Sequence, residues 1–241
     1  YISNAAGSQH IRPELIGIDN SDAKKSASYR TNNPTYRKNG RVNRNIESFG
    51  NTIFERCIMA YDIDVMLTQQ YRMHPEIMAF SNQYFYHGLL KTDPSILERT
   101  LKFENSTVFI DTAGCGHEET LNVETLSTFN QDEAYFTINQ LNNFVRGINN
   151  PEDYSYAIIA PYKAQVELLR YFLSELKYPP ALLRRISINS VDAFQGQERD
   201  IIAISMVRSN ATGEIGFLGD IRRMNVAMTR ARHLLMMAFG P

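Results

Sequence analysis

The chain has 241 residues, 43% of them hydrophobic, and carries 25 Lys+Arg against 26 Asp+Glu for a formal net charge of −1 at pH 7. That is apolar material enough for one large or two small domains, while the charge balance excludes a global field for nucleic acid or membranes, leaving only local basic surface to do such work. Cys57 and Cys115 are far apart and lack Cys-x-x-Cys spacing, which excludes a disulfide framework or structural zinc site, and no apolar run approaches the roughly 18 residues of a membrane span. The N-terminus also lacks the charged-then-apolar order of a signal peptide, so the expected setting is reducing and intracellular, cytoplasmic or nucleoid/nuclear, with no membrane partner.

Residues 1–50 are poor in apolar periodicity and basic, with Lys24, Lys25, Arg30, Arg37, Lys38, Arg41 and Arg44. They read as a flexible or irregular segment: either a solvated linker, or an arm whose Tyr29 and Tyr36 stack on unpaired bases beside phosphate contacts. Residues 51–241 read as the folded domain. VMLT (65–68) has the length and apolarity of a short buried strand, and Pro75 opens a helix at its favoured first-turn position, followed by Ile77, Phe80 and Tyr84 at helical spacing. TVFID (107–111) is a second strand. A polar excursion through Gly114 and Gly116 leads to Asn130, which with Glu133 makes a capping-box signal ahead of Ala134, Ile138, Leu141 and Val145 on one helical face.

YAIIA (156–160) is a continuous apolar run broken by Pro161, and an amphipathic helix with Val166, Leu169, Leu173 and Leu176 inward follows it. ISINS (186–190), DIIAISMV (200–207) and HLLMMAF (233–239) supply three more strands, with a helix over about 220–231 before the last. Apolar strands alternating with helices predict an α/β fold, a mainly parallel sheet covered on both faces. In such sheets ligands sit beyond the carboxyl ends of the strands, which directs attention to QQYRMHP, PYKAQ and VDAFQGQE. A Gly-x-x-x-x-Gly-Lys-Ser/Thr phosphate loop is absent from the sequence.

On the helix before the last strand, Ile221, Met224, Met228 and Ala231 form an apolar stripe, and Arg223, Ala227 and Arg230 share another face. Gly196 permits a tight turn or a close backbone approach, and Glu198 is placed to accept hydrogen bonds or to pair with Arg199 or Arg232. Cys115-Gly116-His117 offers two metal ligands without partners and reads as a surface loop; the methionines Met224, Met228, Met236 and Met237 read as adaptable core. Asp93, Glu98 and Glu104 show no acid/base spacing.

QQYRMHPEI (69–77), IIAPYKAQ (158–165), SVDAFQGQERDII (190–202) and RRMNVAMTRAR (222–232) resemble, in order, the motifs of the second, C-terminal RecA-like domain of superfamily 1 helicases, in the branch containing the RNA helicase of nonsense-mediated decay. The resemblance spans about 64–240. It implies a RecA-like P-loop NTPase fold without its own phosphate loop, ATP as the nucleotide, and an N-terminal RecA-like domain of the same protein bearing the main phosphate and Mg2+ ligands. By the same resemblance Arg230 and Arg72 are catalytic arginines at the γ-phosphate, and Tyr71, Gln195, Gly196 and Glu198 lie on the nucleotide. Pro161, Tyr162, Gln165, Ser190 and Asp192 would contact single-stranded DNA or RNA. No protein metal ligand is expected here, and the chain alone would be inactive. A non-catalytic nucleic-acid or protein binding module of the same fold is the alternative.

Overall fold

The computed structural model describes residues 66–97 and 105–239. The basic segment 1–50, and with it Cys57, Glu98 and Glu104, lies outside them. In chain order the elements are β1 (Gln69–Gln70), α1 (Pro75–Tyr86), β2 (Lys91–Thr92), α2 (Pro94–Leu97), β3 (Thr107–Asp111), β4 (Thr120–Asn122), β5 (Ser127–Phe129), α3 (Gln131–Gly147), β6 (Tyr156–Ala160), α4 (Lys163–Glu175), α5 (Pro180–Leu183), β7 (Ile186–Ser190), β8 (Arg199–Ser205), α6 (Ile221–Met228) and β9 (Ala231–Phe239). The described residues fall into two compact units, one holding 66–70 and 79–91, the other 71–78, 92–97 and 105–239.

In the smaller unit the Asn82 side chain bridges the turn, donating to the Leu90 carbonyl at 3.0 Å and accepting from the Leu90 N–H at 2.9 Å, and the Lys91 N–H closes onto the Thr68 carbonyl at 2.7 Å. The strand expected at 65–68 is displaced to Gln69–Gln70. On α1 the buried positions include Ile77, Ser81 and Phe85, while Phe80 and Tyr84, which with Ile77 gave the predicted helical spacing, are exposed and stack on each other at 5.6 Å. Spacing of i, i+4 fits both stripes, and only the one containing Ser81 is covered.

The larger unit is built on a five-stranded sheet of order β3-β9-β8-β6-β7. Every neighbouring pair is parallel. Tyr156, Ile158 and Ala160 of β6 share one face with Ile188, Ile201, Ala203, Leu234 and Met236, and pack with the inward residues of α3 and α4 in one core. The alternate residues Ala157, Ile159, Ile202, Ile204 and Leu235 are also buried. Burial on both faces explains why these strands read as unbroken apolar runs rather than alternating ones. The antiparallel hairpin β4–β5 is the main element the sequence reading missed; its strands are three residues each and its exposed Leu121, Val123 and Leu126 give no alternation.

Two details of register determine where the charged residues stand. Between Arg199 and Ile201 of β8, β9 advances from Ala231 to Leu234, so β9 carries one extra residue, a bulge containing Arg232 and His233. And β7 joins β8 across β6: Ser190 is level with Ala160, whereas Ile201 is level with Tyr156, four residues back. At about 3.3 Å per residue, the run 191–200 therefore returns roughly 13 Å along the sheet, from its carboxyl end to its amino end.

Candidate functional site

The amino ends of β8 and β9 gather the charged side chains. Glu198, the last residue before β8, has its Oε2 2.5 Å from Arg72 Nε and its Oε1 3.4 Å from Arg232 Nε. Arg72 is further tied by Nη1 to the Thr229 carbonyl at 3.2 Å, and the His74 N–H donates to the Arg232 carbonyl at 3.1 Å. These two bonds hold the 71–74 segment against the turn between α6 and β9. Tyr71, adjacent to Arg72, is 61% exposed.

The bulge explains Arg232. Consecutive strand residues ordinarily point to opposite faces, yet Arg232 Nη1 and His233 Nε2 both approach Asp200 Oδ1, at 3.6 and 3.5 Å. Asp200 Oδ2 in turn accepts from the N–H and hydroxyl of Ser155 at 2.8 and 2.7 Å. Arg232 was expected only as a candidate partner of Glu198, which it is; Asp200, His233 and Ser155 escaped the sequence reading because nothing in their spacing announces a bulge.

Arg230 is 1% exposed, the largest fully buried side chain among the described residues, and its Nε and Nη1 have no hydrogen-bond partner among them. Burial, and then the like charge of Arg72, push its guanidinium down to about 10, with Glu198 acting in the opposite sense. It remains a cation at neutral pH. An unpartnered buried cation is costly, and the geometry fits an anion that supplies the missing acceptors. The expected helical face Arg223–Ala227–Arg230 is corrected: α6 ends at Met228, Thr229 and Arg230 form a turn, and Ala231 already belongs to β9. The Thr229 hydroxyl bonds back to the Asn225 carbonyl at 2.7 Å, and the Arg230 N–H reaches the Ala227 carbonyl, three residues back, at 3.3 Å, so the last turn tightens and Arg230 leaves the helical spacing.

The run 191–198 connects this cluster to the other end of the sheet through consecutive tight turns. Phe194 is its anchor, 1% exposed, with Arg199 over its ring at 5.2 Å. Gly196 has φ +81 and nothing within 4 Å of an added Cβ, so backbone conformation rather than close approach requires the glycine. Gln195 is exposed, with its N–H on the Asp192 carbonyl at 3.2 Å. Arg199, one expected partner of Glu198, donates to its main-chain carbonyl instead, at 2.7 Å.

At the carboxyl end lie the residues expected on a nucleic-acid strand. Ser190 Oγ accepts from the Ala193 N–H at 3.3 Å, and exposed Asp192 sits 3.8 Å from Arg223 Nε. Pro161 and Tyr162 are half-buried beyond β6. Tyr162 Oη accepts from the Phe217 N–H at 3.3 Å and from Arg208 at 3.5 Å. Gln165 is a correction. It is fully buried; its Oε1 accepts from the Asn130 N–H at 2.8 Å, and its Nε2 donates to the Asn130 carbonyl and the Ser205 hydroxyl at 3.1 and 2.9 Å. A side chain so enclosed does not reach a strand.

That same network corrects the capping box. Asn130 caps α3 as expected, accepting from the Glu133 N–H at 3.0 Å, but the reciprocal bond is made by Gln165. Glu133, freed, turns its carboxylate to the Ser205 hydroxyl at 2.5 Å and the Val207 N–H at 2.9 and 3.1 Å. Val207 has φ +73, a strained conformation for a β-branched residue. Burial raises the carboxyl of Glu133 above the ordinary range, opposed by these bonds.

The expectation that ligands gather at carboxyl ends thus covers one end only: the arginine cluster occupies the amino end. Among the described residues there is no group of three or more His, Cys, Asp or Glu side chains able to hold a metal ion, and no helix long and apolar enough to cross a membrane.

Residues 49–239 match the AAA_12 family, described as an AAA domain. The chain is 41% identical over 177 residues to the DNA-binding protein SMUBP-2 of Mus musculus, covering 69% of this chain and 17% of that protein. It is 36% identical over 212 residues to the DNA polymerase alpha-associated DNA helicase A of Saccharomyces cerevisiae, covering 79% and 30%. To the Regulator of nonsense transcripts 1 homolog of Drosophila melanogaster it is 36% identical over 198 residues, covering 79% and 16%. The chain spans less than a third of the length of each of these relatives. It belongs to the AAA_12 family of AAA domains, the C-terminal, RecA-like region of superfamily 1 helicases.

Proposed function

We propose that this chain is the C-terminal motor domain of an ATP-dependent superfamily 1 helicase that translocates on and unwinds nucleic acid. The observation that carries the reading is Arg230: a fully buried guanidinium with two nitrogens lacking acceptors, beside a second arginine that Glu198 and the Thr229 carbonyl hold in place. Two such cations suit the γ-phosphate of ATP, where they stabilise charge developing on the transferred phosphoryl group. In well-studied phosphoryl-transfer enzymes an arginine finger is worth roughly 10³ to 10⁵ in rate. Exposed Tyr71 packs on the base or ribose, and Gln195, Gly196 and Glu198 line the nucleotide.

Mg2+ and the main phosphate ligands belong to an N-terminal RecA-like domain of the same protein. The described residues fit the phosphate and offer the metal no acidic cluster. Single-stranded DNA or RNA lies at the opposite end of the sheet, on Pro161, Tyr162, Ser190 and Asp192. The run 191–198 spans the two ends. Closure of the two domains on ATP would therefore be felt at Ser190 through one short, Phe194-anchored segment. The names of the relatives include both a DNA helicase and a regulator of nonsense transcripts, in keeping with a strand grip that reads neither base nor sugar. An intracellular setting follows from such a partner.

The test is ATP hydrolysis by the full-length protein with single-stranded DNA and RNA, against the same protein bearing Arg230→Ala and against the chain alone. Strand-stimulated turnover that falls at least roughly 10³-fold in the variant, with nucleotide binding kept, is expected. The isolated chain is expected to turn over negligibly. Magnesium-dependent turnover by the isolated chain, or an unimpaired variant, would overturn the reading.

A further inference from the structure

Arg208 is another nearly enclosed arginine, its side chain 12% exposed, and its circumstances are the opposite of those of Arg230. Its Nε donates to the Glu214 carbonyl and pairs with Glu119 Oε2, both at 3.0 Å, its Nη2 meets Glu214 Oε2 at 3.3 Å, and its Nη1 donates to Tyr162 Oη at 3.5 Å. Burial disfavours the charge, but Tyr162 and Glu119 outweigh burial and hold the guanidinium above its ordinary range. With these acceptors around it, Arg208 needs no anion from outside. A planar fork with partners on three separate segments, before β4, at the start of α4 and in the loop before α6, is suited instead to holding those segments in place.

The backbone that delivers Arg208 is strained. The Arg208 N–H donates to the Met206 carbonyl at 2.9 Å around Val207, whose φ is +73, a three-residue turn of the rare kind and unfavourable for a β-branched residue. Such a conformation persists only where its neighbours over-determine it, and it is commonest at functional sites. Here the Glu133 carboxylate accepts from the Val207 N–H at 2.9 and 3.1 Å, and Asn130 Nδ2 donates to the Val207 carbonyl at 3.4 Å. Because β8 ends at Ser205, this turn sets the course of the chain beyond the carboxyl end of the sheet, and it brings Arg208 to Tyr162.

Tyr162 is fixed from two sides, by Arg208 and by the Phe217 N–H at 3.3 Å, and its ring meets that of Phe217 edge-on at 6.3 Å. A Cβ at Gly216 would come within 2.7 Å of Tyr162 Oη and 2.8 Å of Arg208 Nη1, so the glycine leaves the space in which the two meet. We propose that Arg208, delivered by the Glu133-held turn at Val207 and braced by Glu119 and Glu214, is a positioning residue that holds Tyr162 in place for the nucleic-acid strand. The proposal rests on the reading that the strand lies on Tyr162.

In the full-length protein, affinity for fluorescent oligothymidine and oligouridine strands and KM for ATP are measured side by side. Arg208→Lys keeps a charge beside Glu119 but has one nitrogen, which cannot serve Glu119, Glu214 and Tyr162 together. Strand affinity is expected to fall about tenfold, the loss of roughly one hydrogen bond to a charged group, with KM for ATP unchanged. Tyr162→Phe keeps the ring and removes only the oxygen that Arg208 holds. It is expected to lose a similar factor, and the double variant no more than the larger single loss. Parental strand affinity in Arg208→Lys, losses that multiply in the double variant, or a KM for ATP that rises as much as the strand affinity falls overturns the positioning role. Should Arg208→Lys fail to fold, Tyr162→Phe decides: a loss supports the proposal and parental strand affinity overturns it. A Tyr162→Ala variant that binds the strand as the parent does overturns instead the placement of the strand on Tyr162.

Discussion

Arg72 Nε donates to Glu198 Oε2 at 2.5 Å, and the other oxygen of the same carboxylate faces Arg232. One carboxylate thus organises two arginines, the first of them 126 residues away in the chain, while Arg230 beside them has no such counter-ion on its Nε or Nη1. The side chain of Glu198 is 39% exposed, so solvent screens the pair.

The Arg72–Glu198 pair is predicted to be a positioning contact rather than a large source of stability. In a double-mutant cycle of Arg72→Ala and Glu198→Ala read by urea unfolding, the coupling is expected at about 1 kcal/mol or less. If the full-length protein is the proposed ATP-dependent motor, Glu198→Ala should raise its KM for ATP, because Arg72 is released from its place. A coupling well above that, with KM unchanged, would make the pair a structural one.

Arg230 is predicted to cost stability in exchange for its chemistry. A cation whose folded pKa is lowered is disfavoured in the folded state while charged. With its value lowered to about 10 from the ordinary guanidinium range, that cost is fully present below pH 10, including the whole neutral range. Arg230→Met keeps much of the volume and removes the buried charge. It should stabilise the chain by about 1–4 kcal/mol while abolishing strand-stimulated hydrolysis in the full-length protein. Thermal and urea denaturation decide it: a variant less stable than the parent would show that the fold already compensates the desolvation of Arg230.

Glu133 ties the polar core to a pH dependence. Its carboxyl is raised from the ordinary 4.5 by burial, so between 4.5 and the folded value the folded state binds more protons than the unfolded one, and stability falls as pH rises through that window. Glu133→Gln abolishes this titration. The amide also sets a donor against the Val207 N–H, which is expected to cost about 1–3 kcal/mol. Unfolding free energies of the variant should accordingly be lower at pH 4.5 and converge on the parent as pH rises. Parallel curves would remove Glu133 as the titrating group.

Gly216 sits at φ +49, where an added Cβ would meet Tyr162 Oη at 2.7 Å and Arg208 Nη1 at 2.8 Å. Both neighbours are tips of side chains, so they can shift, but doing so breaks the Tyr162 bond to the Phe217 N–H. Gly216→Ala is predicted to cost about 1 kcal/mol or more through the backbone alone. It should also weaken strand binding while sparing nucleotide affinity, since the arginine cluster lies at the opposite end of the sheet. Equal weakening of both ligands would contradict the division between the two ends.

The parallel architecture was legible because strands buried on both faces must be apolar at every position, as YAIIA and DIIAIS nearly are, and because helices between them repeat their apolar residues at 3.6. The Asn130 cap was legible because its signal is equally local. Motif order singled out Arg72, Glu198 and Arg230 as residues of one family site. The rest depends on contacts between segments far apart in the chain. Which stripe of α1 is covered, the diversion of Glu133 from its own helix cap to Val207, and the burial of Gln165 all depend on what packs nearby, which no local spacing encodes.

The strand order and one extra residue in β9 set the most consequential relationship. Chain order alone places 191–198 between two strands, with no direction across the sheet. Because β7 and β8 lie on either side of β6 and run parallel to it, that segment has to travel back from Ser190 to Glu198. The bulge then turns Arg232 and His233 together onto Asp200. Side-chain chemistry is written in the residues themselves, but the end of the sheet at which each group stands is a property of register, which exists only once the strands have paired.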